Sequence, residues 1–331
     1  MVLMANQKYA AMVMDARSGE ILHSENANKR LHPASLTKMM TLYVVFQAVE
    51  NGEISLDKKV KISRHAASEP PSKLYLRSGQ KVKLRYLIRA AAVKSANDAA
   101  TALGEAIEGS EAAFARRMNR TAKAMGMNRT TFKNAHGLTE PGHLSTARDM
   151  TILGRHLFYD FPEYYNLFAR KTTSAGSTKV RNTNRRFLSN YRGADGIKTG
   201  YTRAAGYNLV ASANRNGERI ITTVFGGRST TTRNAQVAKL MNLGFKKAPR
   251  NVKIQKPKPP SYTAIARASQ VKSISKSLRP KIRPENNENV ILIATNEYRS
   301  DILSALKQAQ IAGKLVEQTS EVYTNISYTP E

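Results

Sequence analysis

The sequence contains no cysteine. That excludes disulfides, thiolate zinc sites and a cysteine nucleophile, and it fits an oxidising compartment. Long hydrophobic runs are also missing. No stretch is apolar and long enough for a transmembrane helix, and Met1 to Met4 is too short for a signal core before Lys8 interrupts it. Acidic residues are scarce: 24 Asp and Glu stand against 53 Lys and Arg, a net charge of +29. A field of that sign attracts polyanions such as nucleic acid, phospholipid headgroups or an anionic cell wall. The charge comes without an aromatic-rich RNA motif, paired zinc ligands or a recognition-helix signature, so no nucleic-acid partner is expected.

What is present suffices for a large core. The chain has 331 residues, 41% of them hydrophobic, enough for one large domain and a small one. Residues 8–15 read as a strand, 16–19 as a turn and 20–24 as a return strand. From 35 to 50 the period changes: Met39, Leu42, Val45, Phe46 and Val49 form one apolar stripe of a helix, with Pro33 just ahead of it. Residues 86–108, 111–126 and 146–158 also read as helices. Residues 207–213 and 218–226 read as strands joined by the hairpin signal Asn214-Arg215-Asn216-Gly217. Strands at both ends with helices between them predict an α+β structure whose first and last strands share a sheet.

The character changes near residue 250. Residues 251–284 carry nine basic residues, no acidic one and five prolines. The expected organisation is a catalytic domain over 1–250, a basic proline-containing linker over 251–285 and a small α+β region over 286–331. In the last region Val290 to Ala294 reads as a strand and Ser300 to Ala312 as a helix. Residues 251–331 hold 12 basic and 7 acidic residues, a net +5, so residues 1–250 carry the remaining +24.

Three short motifs carry chemistry: Ser35-Leu36-Thr37-Lys38, Ser95-Ala96-Asn97 and Lys198-Thr199-Gly200. Each alone is weak. Ser-x-x-Lys also begins at Ser55, Ser78, Ser269, Ser273 and Ser304, and Ser-x-Asn at Ser24 and Ser212. Context separates the copies. Ser35 opens the predicted helix, so Ser35 and Lys38 lie one turn apart on one face. The helix start offers backbone N–H groups to an oxyanion. A serine hydroxyl needs a base, and a lysine can serve if burial and a neighbouring positive charge lower its pKa. Lys198 is a candidate source of that charge. The bland alternative makes Ser35 an N-cap and Lys38 a solvated helix residue. Ser95 could relay a proton to a leaving amine, and Asn97 could hold a substrate amide and the Lys38 ammonium; otherwise they merely cap the next helix. On an edge strand, Lys198 and Thr199 would attract and bond a carboxylate, and Gly200 would let a substrate backbone come close. His136 and His143 show no paired spacing of a zinc site and are expected to be structural.

The order and surroundings of the motifs resemble the D-alanyl-D-alanine carboxypeptidases, the low-molecular-mass penicillin-binding proteins of serine peptidase family S11. The resemblance runs from about Tyr9 to Lys247. It includes Met14-Asp15-Ala16-Arg17-Ser18-Gly19-Glu20, Phe132-Lys133-Asn134-Ala135-His136-Gly137-Leu138, Ser145-Thr146-Ala147-Arg148-Asp149-Met150 and Asp195-Gly196 before Lys198. It implies a β-lactamase/transpeptidase-like fold, an antiparallel sheet flanked by helices, here with a small C-terminal extension. It implies acyl transfer on Ser35 with Lys38 as base, and an oxyanion held by the backbone N–H groups of Ser35 and Tyr201. Arg233 matches an arginine near the substrate carboxylate, and Arg185 is a looser match. Implied partners are peptidoglycan stem peptides, β-lactams as covalent inhibitors and the anionic cell envelope; no cofactor or metal is implied. The expected location is the bacterial periplasm or envelope. Tyr201 stands where many relatives carry histidine. A Glu-x-x-Leu-Asn element for deacylation is missing, which argues against efficient penicillin hydrolysis. The competing readings are a D,D-endopeptidase, a weak β-lactamase, and a catalytically silent wall-binding protein.

Overall fold

A computed structural model describes residues 8–260. The chain begins with β1 (Ala10–Asp15) and β2 (Ile21–Glu25), an antiparallel pair around a turn closed by the Gly19 N–H on Asp15 O at 2.8 Å. A 3₁₀ turn over Ala34–Leu36 then leads into α1 (Thr37–Glu50). β3 (Lys59–Lys61), α2 (Arg64–Ser68) and β4 (Lys81–Lys83) follow, with β3 and β4 paired as a small ribbon. Next come α3 (Leu84–Arg89), a wide π turn over Ala90–Lys94, α4 (Asn97–Glu108) and α5 (Glu111–Ala124). α6 (Ala147–Asp160) is capped by the Thr146 hydroxyl, which accepts from the Asp149 N–H at 3.0 Å. α7 (Pro162–Ala169), the β5 (Thr172–Ala175) and β6 (Thr178–Arg181) hairpin and α8 (Arg185–Asn190) lead to the last three strands. These are β7 (Ala194–Thr202), β8 (Gly206–Arg215) and β9 (Glu218–Gly227), and α9 (Thr230–Lys247) closes the run.

The main sheet is antiparallel in the order β2-β1-β9-β8-β7. The first and last strands are neighbours, as the α+β reading requires, with Ala10 opposite Phe225. Strand pleating sorts the side chains onto two faces. Met12, Met14, Val210, Ile221 and Phe225 join the larger core under α1, α4, α5 and α6. Ala11, Val13, Leu209, Ala211, Ile220 and Val224 meet Val237, Leu240 and Met241 of α9. Each such aliphatic side chain contributes about 1.5–3 kcal/mol when fully buried. The result is three layers: helices, sheet, helix.

Two sequence expectations change here. α1 has no single apolar stripe, because every residue from Thr37 to Phe46 is buried. α4, α5 and α6 pack around it, and a helix enclosed on all sides is buried on all sides. Its polar residues are satisfied inside: Thr41 Oγ1 donates to Ala135 O at 2.6 Å, for example. The predicted helix over 86–108 is broken at Ser95, which takes φ +63°. Tertiary bonds hold the break open. The Asn97 N–H donates to Ser72 O at 2.7 Å, and Asp98 accepts the N–H groups of Leu74 and Leu76 at 3.0–3.1 Å.

Residues 251–260 carry no regular secondary structure, and the Gln255 N–H donates to Arg17 O at 2.8 Å. The rest of the expected linker, and the expected strand and helix in 286–331, lie outside the described residues. Among the described residues no helix is long and apolar enough to cross a membrane.

Candidate active site

The Ala34–Leu36 turn packs against β7, at the edge of the main sheet. Gly200 makes this possible. A Cβ there would lie 2.9 Å from Pro33 O and 3.0 Å from the Ser35 nitrogen. Gly200 thus permits a close approach to the turn that carries Ser35, and it also lines the cavity beside that turn. Gly137 does similar work on the other side. It has φ +90°, and a Cβ would lie 1.9 Å from Ala34 O, so only glycine fits.

Between these elements lies Lys38, fully buried. Its Nζ sits 3.1 Å from Ser35 Oγ, 2.7 Å from Asn97 Oδ1 and 2.7 Å from His136 O. Burial holds its pKa well below the ordinary lysine range; the Lys198 charge pushes it further down, and Glu69 and Asp98 oppose. None of the ion pairs among the described residues involves Lys38, Lys198 or Arg233.

Ser95 and Lys198 form the second pair. Lys198 Nζ donates to Ser95 Oγ at 2.8 Å and to Thr199 O at 3.0 Å. Burial first, then Arg233, pulls the Lys198 pKa down to about 7. Asn97 bridges the first pair to the loop between α2 and β4, because its Nδ2 donates to Pro70 O at 2.8 Å. Thr199 Oγ1 donates to Thr183 Oγ1 at 2.7 Å.

One open cavity collects Ser35, Ser95, Asn97, Thr199, Gly200, Tyr201 and Arg233 along its wall. Arg233 comes from α9 and is almost fully buried. Its guanidinium donates to Asn208 O at 3.2 Å and to Asn234 Oδ1 at 2.7 Å, and burial lowers its pKa to about 10. Tyr201 is exposed and leans on Tyr207, with ring centroids 4.3 Å apart. Arg185 is not brought to this wall. It opens α8 with its side chain in solvent, because the inward face of that short helix is taken by Phe187 and Leu188.

Sequence reasoning missed three parts of the site. The His136 carbonyl contributes through its backbone, which no side-chain pattern reports. Thr183 and Thr230 also line the cavity, and they sit in segments without a distinctive motif. His143 behaves as the structural residue it was expected to be. Its Nδ1 accepts the Lys133 N–H at 3.2 Å and its Nε2 meets Thr37 Oγ1 at 2.8 Å, and burial keeps it neutral with a pKa near 3.

A buried lysine within reach of a serine, beside a second lysine–serine pair, is the arrangement of a serine acyl-transferase without histidine. The family model for D-alanyl-D-alanine carboxypeptidase matches residues 5–229. The chain belongs to that family. The carboxypeptidase DacF of Bacillus subtilis is 40% identical over 247 residues, covering 73% of this chain and 63% of the relative. DacC of Escherichia coli is 40% identical over 243 residues, covering 72% and 61%. The match thus spans less than two thirds of these curated carboxypeptidases. Among solved structures, DacD from Francisella tularensis superposes with a TM-score of 0.68 at 36% identity, over 73% of this chain and 70% of that one. Penicillin-binding protein D2 from Listeria monocytogenes, in its ampicillin-bound form, gives 0.67 at 35% identity, over 74% and 100%. The fold of this carboxypeptidase family member is therefore the transpeptidase-like one that its motifs imply.

Proposed function

We propose that this chain is a serine-type D-Ala-D-Ala carboxypeptidase that trims peptidoglycan stem peptides through an acyl-enzyme on Ser35. The observation that carries the reading is Lys38: fully buried, with its Nζ 3.1 Å from Ser35 Oγ and a lowered pKa. Neutral Lys38 takes the Ser35 proton as Oγ attacks the carbonyl of the penultimate D-alanine. The oxyanion rests on the backbone N–H groups of Ser35 and Tyr201; losing one such donor costs roughly a hundredfold or more. The C–N bond breaks as a proton reaches the leaving amine through Ser95, whose Oγ is already held by Lys198. Water then attacks the ester, and Ser35 recovers its proton. Thr199, Lys198 and Arg233 are the groups on hand for the terminal carboxylate. Asn97 keeps one amide hydrogen free of Pro70 O for the substrate. The same serine is open to β-lactams, as the ampicillin-bound Listeria relative supports.

The +24 carried by residues 1–250 suits an anionic envelope, and we place the protein in the bacterial periplasm or envelope. The test is the intact mass after brief exposure to benzylpenicillin, beside Ser35→Ala. One covalent adduct, lost in the variant, is expected. No adduct on folded wild-type protein would overturn the reading.

A further inference from the structure

A second cluster lies behind the segment that supplies the His136 carbonyl. His65 on α2, Glu69 at the end of α2 and Glu111 at the start of α5 bring one ligand atom each to within 4.8 Å of one another. We propose that these three side chains bind a divalent transition-metal cation of the zinc type, at a site separate from the catalytic cavity.

The charge balance is the first argument. The Glu69 side chain is only 6% exposed and that of Glu111 15%. Burying two carboxylates together is unfavourable without a cation. The chain has 53 Lys and Arg, yet neither carboxylate pairs with one among the described residues; their ion-pair partners there are the His65 and His136 imidazoles. Glu69 Oε1 takes the Thr101 hydroxyl at 2.9 Å, and Oε2 of this buried side chain takes no hydrogen bond from a described residue. Glu69 lines an open cavity together with His65, Glu111 and Glu140.

The donor chemistry is the second argument. One imidazole and two carboxylates leave open positions on a tetrahedral ion and suit zinc better than calcium or magnesium, which prefer oxygen alone. The carboxylates are already oriented from behind. The Ala135 N–H donates to Glu111 Oε1 at 3.0 Å. His136 Nε2 lies 3.3 Å from Glu69 Oε1 and 3.5 Å from Glu111 Oε1. Its Nδ1 accepts the Leu138 N–H at 3.1 Å, which assigns the ring hydrogen to Nε2. His136 is then an outer-shell donor to the ligands, as metal sites commonly have. His65 Nε2 and Glu111 Oε2, 2.9 Å apart, share a proton that the cation would replace. His65 is exposed and gives the ion a way in. The occupied site would brace Ala135 and His136, whose carbonyls hold Thr41 and Lys38.

The experiment is calorimetric titration of Zn²⁺ into the full chain, into His65→Ala and Glu111→Gln, and into His23→Ala as a control, since His23 has only Glu25 beside it. One zinc per chain is expected, weakened at least about tenfold in His65→Ala and Glu111→Gln and unchanged in His23→Ala. His65 is exposed, so His65→Ala decides the matter even if Glu111→Gln misfolds. No zinc uptake by the wild type, or equal uptake by His65→Ala, would overturn the proposal.

Discussion

Two neighbouring regions handle charge in opposite ways. At the candidate active site, Lys38, Lys198 and Arg233 gather with no carboxylate ion-paired to them among the described residues. In the second cluster, Glu69 and Glu111 gather with no lysine or arginine ion-paired to them among the described residues. His136 divides them, its carbonyl on Lys38 and its ring toward the two acids. A fold seeking stability alone would have crossed these groups into salt bridges. Keeping them apart leaves each set of charges free for something that arrives from outside: an anionic peptide terminus on one side, a cation on the other. The lowered pKa values of the two lysines follow from the same separation, because burial without a counter-charge disfavours the ammonium.

The largest break in this comparison comes from removing the buried base. Lys38→Met should slow acylation by benzylpenicillin a hundredfold or more, measured as the rate of adduct formation, with the fold retained. Gly137→Ala attacks the partition itself. Its Cβ would meet Ala34 O, so urea unfolding should show a loss of roughly 3 kcal/mol. Removing the carboxylate partner in Arg233→Met should raise KM for a D-Ala-D-Ala peptide about tenfold, with a smaller change in kcat. The gentlest probe is pH. A lysine is charged below its pKa, and that of Lys198 is drawn from 10.5 to about 7. As pH rises through 7 the ammonium facing the substrate carboxylate is lost, so kcat/KM should fall there. A fall delayed until near 10 would show that Lys198 keeps its charge and that the two regions are less distinct than drawn.

Much of the frame was legible. Residues 8–15 read as a strand and hold β1, the Asn214–Gly217 signal marks the β8–β9 hairpin, and the pairing of β1 with β9 follows from strands at both ends. The candidate side chains Ser35, Lys38, Ser95, Asn97 and Lys198 do converge. What failed was local continuity. The alanine-rich run through 90–100 has every reason to stay helical, and only distant bonds such as Asn97 N–H to Ser72 O break it at Ser95. α7, α8 and the β5–β6 hairpin are short and carry little periodicity. Arg185, the looser match, opens α8 with its side chain in solvent, because Phe187 and Leu188 take the inward face of that short helix. The His65, Glu69 and Glu111 cluster hides because its third member lies far along the chain from the i, i+4 pair.

The adjacency of β1 and β9 also orders events in time. Ala10 finds Phe225 only after almost the whole domain has been made, and such long-range pairing is slow to form. A chain ending at Thr202 would already hold every candidate site residue named above except Thr230 and Arg233, yet β1 would lack its central neighbour and β7 the neighbour it has among the described residues. The sheet that carries the candidate site is therefore completed only by the final hairpin, the last part of the described domain's sheet to be made.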